Sequence, residues 1–176
     1  NNLASLQPHK VRYTKSAFLE FTAEGVYIGA EAHNAAIKSA RRFAYEEVDE
    51  YLADREAWRS KLSPKVHQLL ADMHELAMTL RARRFRRGSL ELDMKEVKVD
   101  LDRNGKVTGA HVVEHTESHQ IIEEFMLAAN EAIAEMIQKA AYHFLRRVHA
   151  SPDPRKLQAL TEFASELGFQ TESLES

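Results

Sequence analysis

The feature that most constrains how this chain can fold is a long run beginning at about Ser118. From there to Val148, Ile121, Ile122, Phe125, Met126, Ala129, Ile133, Met136, Ile137, Ala140 and Phe144 recur at helical spacing and draw a wide apolar face. A helix that long and that apolar on one side must be covered, so the pattern predicts the central helix of a core. Candidates for the covering elements lie upstream. Val11, Tyr13, Ala17, Leu19 and Phe21 share one parity against Arg12, Thr14, Ser16 and Glu20, which is the alternation of a half-buried strand. Ala23-Glu24-Gly25 supplies a turn, and Val26 to about Ser39 reads as the returning strand.

Phe43 to Leu52 has the spacing of a short, acidic, exposed helix. Ser63-Pro64 pairs a capping residue with the residue best suited to the first helical position, and it opens a second long helix. Val66, Leu69, Leu70, Met73, Leu76, Ala77 and Leu80 mark one face of that helix, and Gly88 stops it. Leu90 to Leu101, the turn Asp102-Arg103-Asn104-Gly105 and Lys106 to Val113 read as a second hairpin. Ser151-Pro152-Asp153-Pro154 is expected to break the long run, and a last helix, Lys156 to Leu167, to end at Gly168. With no internal repeat, the fold class is α+β: antiparallel hairpins packed with long helices. Residues 1–170 read as one unit and residues 171–176 as a tail.

Composition narrows the chemistry. The chain has 176 residues, 44% of them hydrophobic, which is enough for a sizeable core. A net charge of -3 excludes a polycation that coats nucleic acid, although it leaves room for a local basic patch. The absence of cysteine excludes disulfides, thiolate metal sites and cysteine nucleophiles. No apolar run approaches the roughly 20 residues that span a bilayer, and the first residues have no secretory pattern, so no membrane association and a cytoplasmic location are expected. The missing initiator Met suggests a chain that begins inside something longer.

Four clusters stand out. Arg81, Arg83, Arg84, Arg86 and Arg87 gather five guanidinium groups at the end of a helix, where they either grip phosphates or answer the helix dipole while solvated. Glu123, Glu124 and Asn130 fall within the long apolar run, Asn130 seven residues after Glu123 and on its face, so they need partners from the protein or from a ligand. His115 and His119 have the i, i+4 spacing that can put two imidazoles on one metal, but no third ligand follows at motif spacing. Asp100 and Asp102 share a strand face, yet Asp beside Asn-Gly is ordinary turn chemistry. No nucleophile-elbow, zinc-protease, P-loop or dinucleotide-binding motif occurs, so pattern and spacing alone leave the function open.

Several stretches, in one order, resemble the catalytic domain of the ribonuclease II / ribonuclease R family of exoribonucleases, the RNB domain. Asn2-Leu3-Ala4-Ser5-Leu6-Gln7-Pro8 is similar to the family's "NLCSLNP", and the segment from Ser39 to Val48 to its "SxARLTYxxV". Arg87-Gly88-Ser89-Leu90 is similar to "RGAL", and the segment from Glu117 to Asn130, with Ile122-Glu123-Glu124, to "xAHKLIEExMLLAN". Arg147-Val148-His149-Ala150-Ser151-Pro152 and Glu166-Leu167-Gly168 complete the series, which runs from about Asn2 to Gly168.

The resemblance implies a Mg2+-dependent enzyme that threads single-stranded RNA into a channel and releases nucleoside 5′-monophosphates from the 3′ end. By position, Tyr45 matches a tyrosine near the scissile phosphate and Glu123 a glutamate near the 3′-terminal nucleotide. Arg83, Arg84 and Arg87 are candidate phosphate contacts, and Asn130 and His149 sit in motifs that frame the channel. Leu92 stands where some members carry a base-stacking aromatic. The family's metal-binding aspartate run and its later catalytic arginines do not occur between Asn1 and Ser176. The expectation is therefore a central segment of the catalytic domain, inactive alone and holding no metal by itself. The rival readings are a non-enzymatic RNA-binding module on the same scaffold, and a helical domain that self-associates through bare apolar surface.

Overall fold

The computed structural model describes residues 5–90 and 96–169. They divide into two units, with the boundary between Tyr142 and His143.

In the first unit, β1 (Val11–Phe21) and β2 (Tyr27–Lys38) form an antiparallel hairpin, in register from Val11 opposite Lys38 to Leu19 opposite Ala30. Gly25 closes the turn with a φ of 72°, which a side chain would resist. The alternation is only half as expected. Ala17, Leu19 and Phe21 are partly covered, but Val11 and Tyr13 are exposed, Tyr13 to 92%. At that end the other parity is covered, because Arg12 reaches back to the Ser5 carbonyl at 3.0 Å and the Gln7 side chain at 2.8 Å.

Three helices follow: α1 (Tyr45–Ala53), α2 (Arg55–Trp58) and α3 (Pro64–Arg86). The Ser63 hydroxyl caps α3 by accepting from the Val66 amide, as its position next to Pro64 predicts. The short α2 escapes the periodicity reading because four residues carry none; its signal is Asp54, whose carboxylate accepts from the Ala57 amide at 3.0 Å. Tyr51, Trp58, Leu62 and Leu70 make the most buried cluster, at the junction of these helices.

The second hairpin pairs β3 (Glu96–Leu101) with β4 (Val107–Val113) across the Asn104-Gly105 turn. Its expected start at Leu90 runs into residues 91–95, outside the described residues, as do Leu92 and the tail. The long helix α4 (Glu117–Lys139) packs on α1, α3 and both strands of the first hairpin. It is central in that sense, although the most buried cluster lies beside it.

The helix ends nine residues before the expected Val148. Ala141 takes a left-handed conformation at φ 57°, and two bonds tie off the last turn, Tyr142 N–H to the Ile137 carbonyl at 3.2 Å and Ala141 N–H to the Gln138 carbonyl at 3.0 Å. This is the arrangement that glycine usually provides, and alanine here gives the sequence no punctuation.

In the second unit, α5 (Pro154–Glu166) starts at the second proline of the expected breaker. Asp153 caps it by accepting from the Arg155 amide at 2.9 Å, so Pro154 opens the helix at a position where its missing N–H costs nothing.

Candidate functional site

Tyr45 is the first residue of α1, and its ring lies on the ring of His119 in α4, with centroids 3.9 Å apart and planes 16° apart. The two helices are fastened beside this stack. Asp49, one turn after Tyr45, accepts from the Ser118 amide at 3.2 Å and from the Thr116 hydroxyl at 2.8 Å. A carboxylate at a helix N-terminus meets the free amides and the positive end of the dipole together. The Thr116 oxygen also lies 2.8 Å from His119 Nδ1.

The row continues along α4. The His115 ring is 5.7 Å from that of His119, and His115 Nε2 is 3.5 Å from Glu123 Oε2. His119 and Glu123, four apart on α4, share one side of the helix, and His115, in the loop just before it, reaches that same side. The expectation treated His115 and His119 as a potential metal pair and Tyr45 and Glu123 as separate positions; the structure brings the four together. A cleft of about 680 Å³ opens beside Tyr45, between Phe43, Leu69, Met73, Ile121 and Ile122.

Arg84, on α3, closes the far end of the row. Its Nε donates to Glu124 Oε1 at 3.0 Å, its Nη2 to the same oxygen and to Glu123 Oε1 at 3.3 Å, and its Nη1 to the Ser89 hydroxyl at 3.0 Å. The Glu124 side chain is 4% exposed and that of Glu123 36%. The partner of the buried carboxylate is therefore a guanidinium from another helix. Asn130 does not share this burial. The inner face of α4 runs through Ile121, Glu124 and Ala132, which turns Asn130 to the surface and corrects its expected place in the covered stripe.

Of the five arginines, Arg86 is exposed and the other four do different things. Arg84 holds the junction of α3 and α4, while Arg81 lies over the Phe85 ring at 4.5 Å. Arg83 reaches the Glu24 carbonyl at 3.5 Å, and exposed Arg87 lies 4.0 Å from Glu131. His149 belongs to the second unit and is exposed. Asp102 accepts from the Asn104 and Lys106 amides at 2.8 and 2.9 Å, as a turn residue does, and Asp100 lies 2.9 Å from His111. Among the described residues, no three His, Asp or Glu side chains converge as metal ligands. Nor is any helix among them long and apolar enough to cross a membrane.

The family model of the RNB domain matches residues 1–176. The chain belongs to the RNB domain family. This RNB segment is 34% identical over 171 residues to ribonuclease R of Thermotoga maritima, covering 97% of this chain and 24% of that protein. It is 33% identical over 167 residues to ribonuclease R of Mycoplasma pneumoniae, covering 95% and 23%. The chain thus spans about a quarter of the length of the curated relatives it matches.

Its fold superposes with a TM-score of 0.89 and 27% identity on Mycoplasma genitalium RNase R in complex with ribose methylated single-stranded RNA, over all of this chain and 27% of that one. Candida glabrata Dss1 exoribonuclease shares the fold at a TM-score of 0.61 and 20% identity, over 94% of this chain and 22% of that one. The expected α+β class, hairpins with long helices in an RNB-type domain, is what the structure has.

Two features of the site escaped sequence reasoning. The i, i+4 spacing pairs His119 with His115, whereas its nearest ring is Tyr45, from a different helix. Asp49 belongs to the acids of the short helix expected over Phe43 to Leu52, and its usable signal is its spacing, four residues after Tyr45.

Proposed function

We propose that this RNB segment forms part of the catalytic domain of a 3′→5′ exoribonuclease that hydrolyses single-stranded RNA to nucleoside 5′-monophosphates in the cytoplasm. The observation that carries the reading is the row Tyr45, His119, His115 and Glu123, which draws two positions 78 residues apart in sequence into one surface beside a cleft. In this reading Tyr45 lies at the scissile phosphate and Glu123 at the 3′-terminal nucleotide. Arg83 and Arg87 answer RNA phosphates by charge, while Arg84 serves the site by holding Glu123 and Glu124. Asn130 and His149 border the RNA path.

Mg2+ enters through the family alone. The described residues do not converge as its ligands, and Glu124 is committed to Arg84. The metal-binding aspartates and catalytic arginines are proposed to lie outside these 176 residues, which makes the chain inactive alone.

The test is degradation of a 5′-labelled, 3′-tailed RNA with magnesium, comparing this chain with the gene product extended in both directions. The expected result is a ladder of shortened products from the extended protein only, slowed by Tyr45→Ala and by Glu123→Ala. Binding by both proteins with cleavage by neither would replace the enzyme with an RNA-binding module.

A further inference from the structure

We propose that His119 is the positioning residue for Tyr45, held to that task by Thr116 and Asp49; the inference rests on the exoribonuclease reading. Tyr45 stands at the very start of α1 with 42% of its surface exposed, where the helix alone does little to fix a ring. The near-parallel contact with His119, at 3.9 Å and 16°, restricts the plane of the phenol.

The imidazole is itself fixed, and the donors and acceptors say how. An ionised Asp49 can only accept, so the Thr116 proton goes to Asp49 Oδ2 at 2.8 Å. The Thr116 oxygen then accepts from His119 Nδ1–H at 2.8 Å and from the Ser118 hydroxyl at 3.0 Å. This assigns the proton to Nδ1 from the hydrogen-bond network.

The contacts close on themselves. Tyr45 and Asp49 stand one turn apart on α1; Asp49 holds Thr116 and the Ser118 amide on α4; Thr116 holds His119; and His119 returns to the Tyr45 ring. Ser118, at the middle of this circuit, is 1% exposed. A reacting group placed through two helices in this way keeps its plane without a covering loop. Misplacement of about 1 Å at a reacting centre can cost about 100-fold in rate, so a ring with one support removed should be slow rather than unbound.

The test uses the intact gene product that carries this segment, with kcat and KM for single-stranded RNA measured for His119→Ala, His119→Phe, Tyr45→Ala and the double His119→Ala/Tyr45→Ala variant. The expected result is a fall in kcat of about 10-fold or more for His119→Ala with KM within about 3-fold, recovery of part of kcat in His119→Phe, which keeps a ring on Tyr45 but lacks the bond to Thr116, and no further loss in the double variant beyond that of Tyr45→Ala. Thermal midpoints identify any loss that only tracks unfolding, and such a loss counts against the proposal. Independent, multiplying losses, or a His119→Phe variant as slow as His119→Ala, would also overturn it. The two readings fail differently: an unchanged kcat in Tyr45→Ala removes the functional reading and this one with it, whereas a slow Tyr45→Ala beside an unimpaired His119→Ala removes only the positioning role.

Discussion

Glu124 Oε1 accepts from Arg84 Nε at 3.0 Å, an ion pair that ties α3 to α4 with the carboxylate almost wholly out of water. Its two halves are not equivalent. Arg84 keeps a route to solvent with 22% of its side chain exposed, but Glu124 depends on Arg84 for its solvation. Arg84→Met leaves a buried carboxylate without its cation and is expected to cost about 3 kcal/mol. Arg84→Met/Glu124→Leu, which removes both charges, should recover most of that loss. Urea unfolding checks both, read as a shift of midpoint at unchanged slope.

The hairpin turn at Gly25 docks on α3, and a methyl group measures how tightly. A Cβ there would lie 2.8 Å from Thr79 Cγ2 and 3.1 Å from Arg83 Cδ, on a residue whose φ is +72°. Gly105 has a similar φ of +79° in the other hairpin with nothing within 4 Å, so it serves as the control. Gly105→Ala should cost about 1 kcal/mol from the backbone alone, and Gly25→Ala about 1 kcal/mol more from the clash. Equal losses in thermal or urea unfolding would mean that the turn does not bear on the helix.

Glu47 makes the start of α1 sensitive to acid. The Ala44 amide, which donates to the Glu47 carboxylate at 2.8 Å, holds its pKa below the ordinary glutamate value; burial opposes this, and Arg41 at 3.3 Å adds to the lowering. The folded pKa is the lower one, so the stabilisation is present above the unfolded carboxyl pKa and is lost as pH falls through the folded pKa. NMR titration of the Glu47 carboxyl should give a midpoint below that of a free glutamate. The stability difference between the native protein and Glu47→Gln should shrink over the same acidic range. A midpoint at or above the ordinary value would refute this.

What the sequence discloses about the fold depends on whether the chain marks its own boundaries. Ser63, Pro64 and Gly88 bracket α3, and Asn104-Gly105 marks the second hairpin, because each residue has a local reason to stand there. The end of α4 has no such marker: Ala141 adopts the glycine conformation, and the apolar spacing runs on past it to Phe144. The site divides the same way. Motif likeness points to Tyr45 and Glu123, but nothing local says that α1 brings Tyr45 onto His119, or that of the two carboxylates on Arg84 it is Glu124 that is buried. Those facts belong to the packing of helices distant in sequence.

Both sheets have only two strands among the described residues, so every strand has a side whose amides and carbonyls lack a neighbouring strand. Natural edges are usually blunted by charge. β4, Val107-Thr108-Gly109-Ala110-His111-Val112-Val113, contains no Asp, Glu, Lys or Arg, and across from it Val97, Val99 and Leu101 are more than half exposed. The outer edge of β4 is therefore guarded by none of the charged side chains that usually blunt such an edge, and the task of keeping it single falls to its short length of seven residues.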